Sequence, residues 1–292
     1  MNTIDAYLNA LKTEMKDADP SLVQDALSDA REHLFTALSV AKEAGPALDE
    51  SELIGKLIEE YGTPEETASA YREVERRTSP SLKQPARSKS VLGRFFGVYL
   101  DPRTWGALLF TFIAFMTGIA YFTWAVVGAS LSVSFLILII GIPLAILFLL
   151  SVQGLTLLEG RLVEALLGER MPRRPLFAQP GLKWLDRLKA LITDKRTWIS
   201  ILYLVLQLPL GVIYFSVNLT LITLSLSLIA APFVQVLGHY SIISTLSGRV
   251  FLPAWGLVLM ELGGLLTLTL TMHLIRAEGR LHARYSKWML VS

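Results

Sequence analysis

There is no cysteine among the 292 residues. Disulfides, thiol nucleophiles and cysteine-held metal centres are therefore excluded, and the redox state of the compartment leaves no trace. Histidine is scarce too, at four residues. His33 stands beside Glu32 and Leu34 with no second histidine at ligand spacing, which reads as a surface or boundary side chain. No Ser/His/Asp arrangement, phosphate-cradling glycine loop or carboxylate pair placed for acid–base work occurs, so no enzyme, metal or cofactor is expected. The first 20 residues hold Asp5, Glu14, Asp17 and Asp19 and no apolar run. No cleavable leader is expected there, and internal segments must drive any membrane entry.

Apolar residues are abundant instead. They make up 52% of the chain, and the mean hydropathy is +0.49, too high for an ordinary soluble domain of this size. Charge is unevenly placed. Residues 1–79 hold 17 Asp/Glu and 8 Lys/Arg, whereas the remainder holds 8 and 19. An acidic head thus precedes a basic membrane part. The basic residues flank apolar stretches, which marks them as topology signals and not as a nucleic-acid surface.

The membrane part carries one pattern twice. Asp101-Pro-Arg103-Thr104-Trp105 opens a stretch that closes at Glu159-Gly160-Arg161-Leu162. Asp194-Lys-Arg196-Thr197-Trp198 opens another, which closes at Glu278-Gly279-Arg280-Leu281. Gly118-x-x-Tyr121-Phe122 matches Gly211-x-x-Tyr214-Phe215 at the same offset of 93 as the openings, while the closing offset is 119. The second copy therefore contains 26 extra residues between Phe215 and Glu278. Two parallel tandem repeats are expected.

Within the head, Ile4, Tyr7, Leu8, Leu11 and Met15 recur at helical spacing. Asp19-Pro20 reads as a cap followed by proline at the first helical position. Val23, Leu27, Ala30, Leu34, Leu38 and Ala41 line a second helix. Leu53, Ile54, Leu57, Ile58 and Tyr61 line a third, ended by Gly62. Thr63-Pro64-Glu65-Glu66 is a capping box opening a fourth, with Ala68, Tyr71 and Val74 facing inward. This corner resembles the end motif of the HAAS signalling domain, Gly-(Asp/Thr)-Pro-x-x-(Ile/Thr)-Ala, and the resemblance covers about the first 75 residues. It implies a small cytoplasmic helical domain of a bacterial membrane protein, often associated with a PadR-like transcription regulator. Tyr61, Gly62, Thr63, Pro64 and Glu66 become a candidate partner-docking corner.

The organisation expected is all-α. A head at residues 1–77 is followed by a tether at 78–90. Repeat one covers 91–170, with a surface helix and spans at about 106–128 and 130–153. A break at 171–180 leads to repeat two at 181–292, with a surface helix at 181–192 and spans at about 199–219 and 257–275. About 20 apolar residues suffice to cross a bilayer. Residues 221–255 are expected as an outer, partly re-entrant insertion, because the density of Lys/Arg around 87–103, 161–196 and 276–287 favours four spans over five with both termini cytoplasmic. Gly141-Ile-Pro143 is expected to kink the second span.

The membrane part resembles the bacterial family called the putative sensor domain, over roughly residues 91–288. The resemblance rests on the two openings, Gly118, Tyr121-Phe122, Gly141-Ile-Pro143 and both Glu-Gly-Arg-Leu ends. It implies environmental sensing without naming a ligand. No kinase core accompanies it, so any output passes to another protein.

Two sets of residues are candidates for function. Asp101, Arg103, Trp105, Glu159 and Arg161, with Asp194, Arg196, Trp198, Glu278 and Arg280, form a repeated interfacial clamp, the arginines of one span start pairing with the glutamates of another span end. Glu261 with Asn218 and Tyr214 forms a candidate sensing pocket, since a carboxylate inside a span is costly. The reading is a bacterial inner-membrane regulator that touches lipid and a cytoplasmic protein but no nucleic acid, and that a homo-oligomer would also suit. The alternatives are an accessory subunit of a transporter complex, contacting it through Gly118, Gly128, Gly263 and Gly264, or a small transporter.

Overall fold

The computed structural model describes residues 3–44, 50–78, 90–135, 141–174, 189, 191–239, 241, 243–245 and 248–291. The chain is all-α apart from one short hairpin. Four helices form the head: α1 (Ile4–Glu14), α2 (Pro20–Ala44), α3 (Glu50–Tyr61) and α4 (Pro64–Thr78). Their apolar stripes close on a core of Tyr7, Leu11, Met15, Ala26, Ala30, Leu34 and Ala68. Val74, expected inward, is instead 58% exposed; the inward face of α4 is carried by Ala68 and Tyr71.

Local chemistry sets the corners of this bundle. The Asp19 carboxylate accepts from the Ser21 N–H at 2.9 Å, with Pro20 opening α2. Gly62 has φ +105°, the left-handed conformation that lets α3 stop abruptly. Thr63 N–H donates to Glu66 Oε2 at 3.0 Å, and Glu66 N–H donates to Thr63 Oγ1 at 3.2 Å. The buried Tyr7 hydroxyl donates to the Gly62 carbonyl at 3.0 Å and also lies 3.0 Å from Thr67 Oγ1.

A short helix, α5 (Val91–Phe96), runs into a 3-10 turn at Gly97–Leu100. It leaves Val91, Leu92, Phe96 and Leu100 exposed. Four long helices follow: α6 (Pro102–Phe135), α7 (Gly141–Leu167), α8 (Lys195–Gly238) and α9 (Ala254–Leu290). All four are long and apolar enough to cross a membrane. Between α8 and α9, β1 (Ile243–Thr245) pairs antiparallel with β2 (Gly248–Val250). The tight contacts divide the chain into two units, residues 1–81 with 120–206 and 283–292, and residues 82–119 with 207–282.

Several boundaries differ from the expected ones. α6 continues to Phe135, so the first span does not turn at 128–130. Pro143 is the third residue of α7 and not an interior one. Its missing N–H falls among the donors that a helix start leaves unpaired anyway, so no kink is required. Residues 221–238, expected within an outer insertion, continue α8 as helix. Their Ser/Thr alternation does not make a strand, because Ser225 turns its hydroxyl back to the Leu221 carbonyl at 2.7 Å within the helix. The 26 extra residues thus lengthen α8 and α9 and supply the hairpin. The Gln235 side chain ties their ends together, donating to the Leu252 carbonyl at 2.9 Å and accepting from its N–H at 3.0 Å. Most of the surface helix expected at 181–192 lies outside the described residues.

Candidate functional site

The two openings make the same bonds. Asp101 Oδ1 accepts from the Arg103 N–H and Asp194 Oδ1 from the Arg196 N–H, each at 3.0 Å. Trp105 Nε1 donates to the Tyr99 carbonyl at 2.9 Å, and Trp198 Nε1 to the Ile192 carbonyl at 2.7 Å. Each aspartate caps a span, and each tryptophan clips the span to the segment before it. The ion pairs seen around the clamp are formed by other partners. Fully buried Asp101 pairs with Arg276 at 2.8 Å, and Arg161 reaches Glu164 at 3.9 Å. Arg280 lies exposed. Glu159 is fully buried, whereas Arg161 and Arg196 are exposed.

Each of these glutamates has a polar nest. Glu159 accepts from the Tyr203 hydroxyl at 3.4 Å, and that hydroxyl lies 2.9 Å from Ser286 Oγ. Tyr121 faces the same carboxylate. In the other unit, Asn218 Nδ2 donates to Glu278 Oε2 at 2.7 Å and approaches Thr111 Oγ1 at 3.4 Å. The buried His282 ring stands 4.7 Å from Phe110 and 5.8 Å from Tyr214. The structure thus brings Asn218 and Tyr214 to Glu278, not to Glu261. Glu261 is partly exposed and stands 17 residues earlier on α9, about 26 Å away along the axis. The expected trio does not assemble because α8 runs on well past residue 219, which places Asn218 far from the hairpin end of that helix.

Sequence reasoning missed a third cluster, where the head grips the chain just past α7. Gly168, at φ +72°, ends that helix, and residues 169–174 continue without helical structure. Arg170 is 8% exposed. Its Nη2 donates to Asp25 at 2.9 Å, and its Nε donates to both Glu75 oxygens at 3.0 and 3.1 Å. The Ser21 hydroxyl donates to the Arg170 carbonyl at 2.9 Å. Asp25 Oδ1 also accepts the N–H groups of Arg173 and Arg174 at 2.8 and 3.0 Å. Arg174 pairs with Asp29, and Arg173 pairs with Glu164 at 2.5 Å. Lys287 reaches Asp19 and Glu169, each at 2.7 Å. Met171 is fully buried. The signal that marked this cluster was the opposite charge of head and remainder, read above only as topology.

At the corner of residues 61–66 Tyr61 packs against the head's core, while Thr63 and Glu66 are exposed. The Tyr61 ring packs 5.9 Å from Tyr7 and 4.8 Å from His33. Burial first, then the Asp29 carboxylate, push its hydroxyl up to about 12.

Fold and clusters together define an all-α protein in which a soluble-type helical bundle is joined to four helices able to cross a membrane. The family model described as Putative sensor matches residues 110–290, and the chain belongs to that family. No curated protein and no solved structure matches it.

Proposed function

We propose that this chain is a non-enzymatic sensor of the bacterial inner membrane whose duplicated four-span module relays an envelope signal to a soluble cytoplasmic partner through the head. One observation carries the reading: the head is held by buried charge to residues 169–174, directly continuous with the end of α7. A change in α7 therefore has a short covalent and electrostatic route to α2 and α4. The head's resemblance to the HAAS domain supports a partner of the PadR-like kind, and the Lys/Arg distribution supports termini on the cytoplasmic side.

The accessory-subunit reading needs open small-residue faces, and the structure fills most of them. A Cβ on Gly118 would meet the Gln207 carbonyl oxygen, one on Gly128 the Phe148 ring, and one on Gly264 Ile229. Gly263 alone of the four meets nothing within 4 Å.

The test is a mild-detergent pull-down of the tagged full-length chain beside a form lacking residues 1–79, read by mass spectrometry. A soluble regulator that is lost with the head is the expected result. Membrane proteins retained equally by both forms, with no soluble protein, would favour the subunit reading instead.

A further inference from the structure

The grip on residues 170–174 reads main chain as well as side chain. Ser21 takes the carbonyl of Arg170, and one oxygen of Asp25 takes two successive N–H groups, those of Arg173 and Arg174. The second oxygen of Asp25 and both oxygens of Glu75 take the Arg170 guanidinium in a fork. Asp29, further along α2, takes the Arg174 guanidinium. A salt bridge between two rigid elements needs none of the main-chain bonds. A site that binds a peptide segment uses both kinds, since main-chain bonds supply register and side-chain pockets supply selectivity. Planar arginine suits a carboxylate pair better than lysine does, because its donors are fixed in a fork.

We propose that the face of the head formed by Ser21, Asp25, Asp29 and Glu75 is a binding site for a non-helical arginine-rich protein segment, filled in the resting chain by its own Arg170–Arg174. A partner carrying two arginines four positions apart, as Arg170 and Arg174 are, competes for this face. The inference rests on the relay reading only for its use in signalling; the site itself is testable without any partner. Tethering explains why the chain's own segment holds the face at rest: a ligand on a short linker acts at an effective concentration on the order of millimolar.

The test uses the full-length protein in detergent and a fluorescein-labelled peptide with the sequence of residues 169–175. Arg170→Ala with Arg174→Ala removes both guanidiniums that the face holds and so vacates the site. Peptide affinity for that variant, read by anisotropy, is expected to exceed affinity for the wild type by at least about tenfold. Adding Asp25→Asn to the vacated chain is expected to abolish the gain, and raising salt to weaken it. Equal binding to wild type and vacated chain, or indifference to Asp25→Asn, overturns the site. Hydrogen exchange on the wild type with excess peptide decides independently if the vacated variant fails to fold. Faster exchange of the Arg173 and Arg174 amides supports displacement, and unchanged exchange at saturating peptide overturns it. Peptide binding without any soluble protein in the pull-down would sink the relay and leave the site standing.

Discussion

Thr63 and Glu66 hold each other at the start of α4, and the bond has a pH signature. The Thr63 N–H and hydroxyl donate to the Glu66 carboxylate, and these bonds lower its pKa below the usual glutamate range. A carboxylate depressed in the folded state adds stability above its unfolded pKa. That contribution disappears as pH falls through the folded value. Glu66→Gln removes the titrating group, so melting of the variant should fall less steeply between about pH 6 and about pH 3 than melting of the wild type. An acid limb of unchanged slope would show that the box contributes nothing to pH dependence. Glu159 and Glu278 are held differently: a tyrosine hydroxyl donates to the one and an amide to the other.

A close helix approach in the membrane part is made by two glycines that correspond in the repeat. A Cβ on Gly118 would lie 2.8 Å from the Gln207 carbonyl oxygen and 2.9 Å from Leu208 Cα. One on Gly211 would lie 2.5 Å from the Ala114 oxygen and 3.0 Å from Phe115 Cα. Residues 114 and 207, like 118 and 211, are 93 apart, so α6 and α8 meet each other through equivalent positions. The obstructing atoms are backbone and cannot swing aside. Gly118→Ala or Gly211→Ala should cost about 1–3 kcal/mol by overpacking, seen as a lower melting temperature in detergent. Gly154→Ala, with nothing within 4 Å, should leave it unchanged. On the head, Arg170→Ala strips Asp25 and Glu75 of their guanidinium. Breaking such a buried pair should cost about 3–5 kcal/mol, measured as the loss of the head's thermal protection.

Which of these contacts the sequence revealed depended on their reach. The Thr63–Glu66 box and the Asp19 cap lie within three residues, so spacing alone exposed them. The apolar length of the spans was equally plain. Tyr203–Glu159, Asn218–Glu278 and Arg170–Asp25 join residues 44, 60 and 145 apart. No local period encodes such pairs, and the glutamates read as exposed clamps only because their burial comes from other helices. For the chain as a whole, the absence of cysteine makes topology directly measurable. Single cysteines at Val40, 60% exposed on the head, and at Leu237, 78% exposed near the end of α8, are unique labels. In spheroplasts an impermeant maleimide should react at Leu237→Cys and spare Val40→Cys; labelling of Val40→Cys alone would reverse the orientation, and labelling of both would put the two sites on the outer side together. The glycine crossing also dictates how α6 and α8 can move. Sliding one along the other would bring a side chain where only hydrogen fits, whereas tilting about the contact disturbs neither backbone. Gly118 sits about 24 Å from the start of α6 and about 26 Å from its end, so the contact is a fulcrum near the middle of a lever. A tilt of about 5° there carries each end of α6 sideways by about 2 Å, in opposite directions.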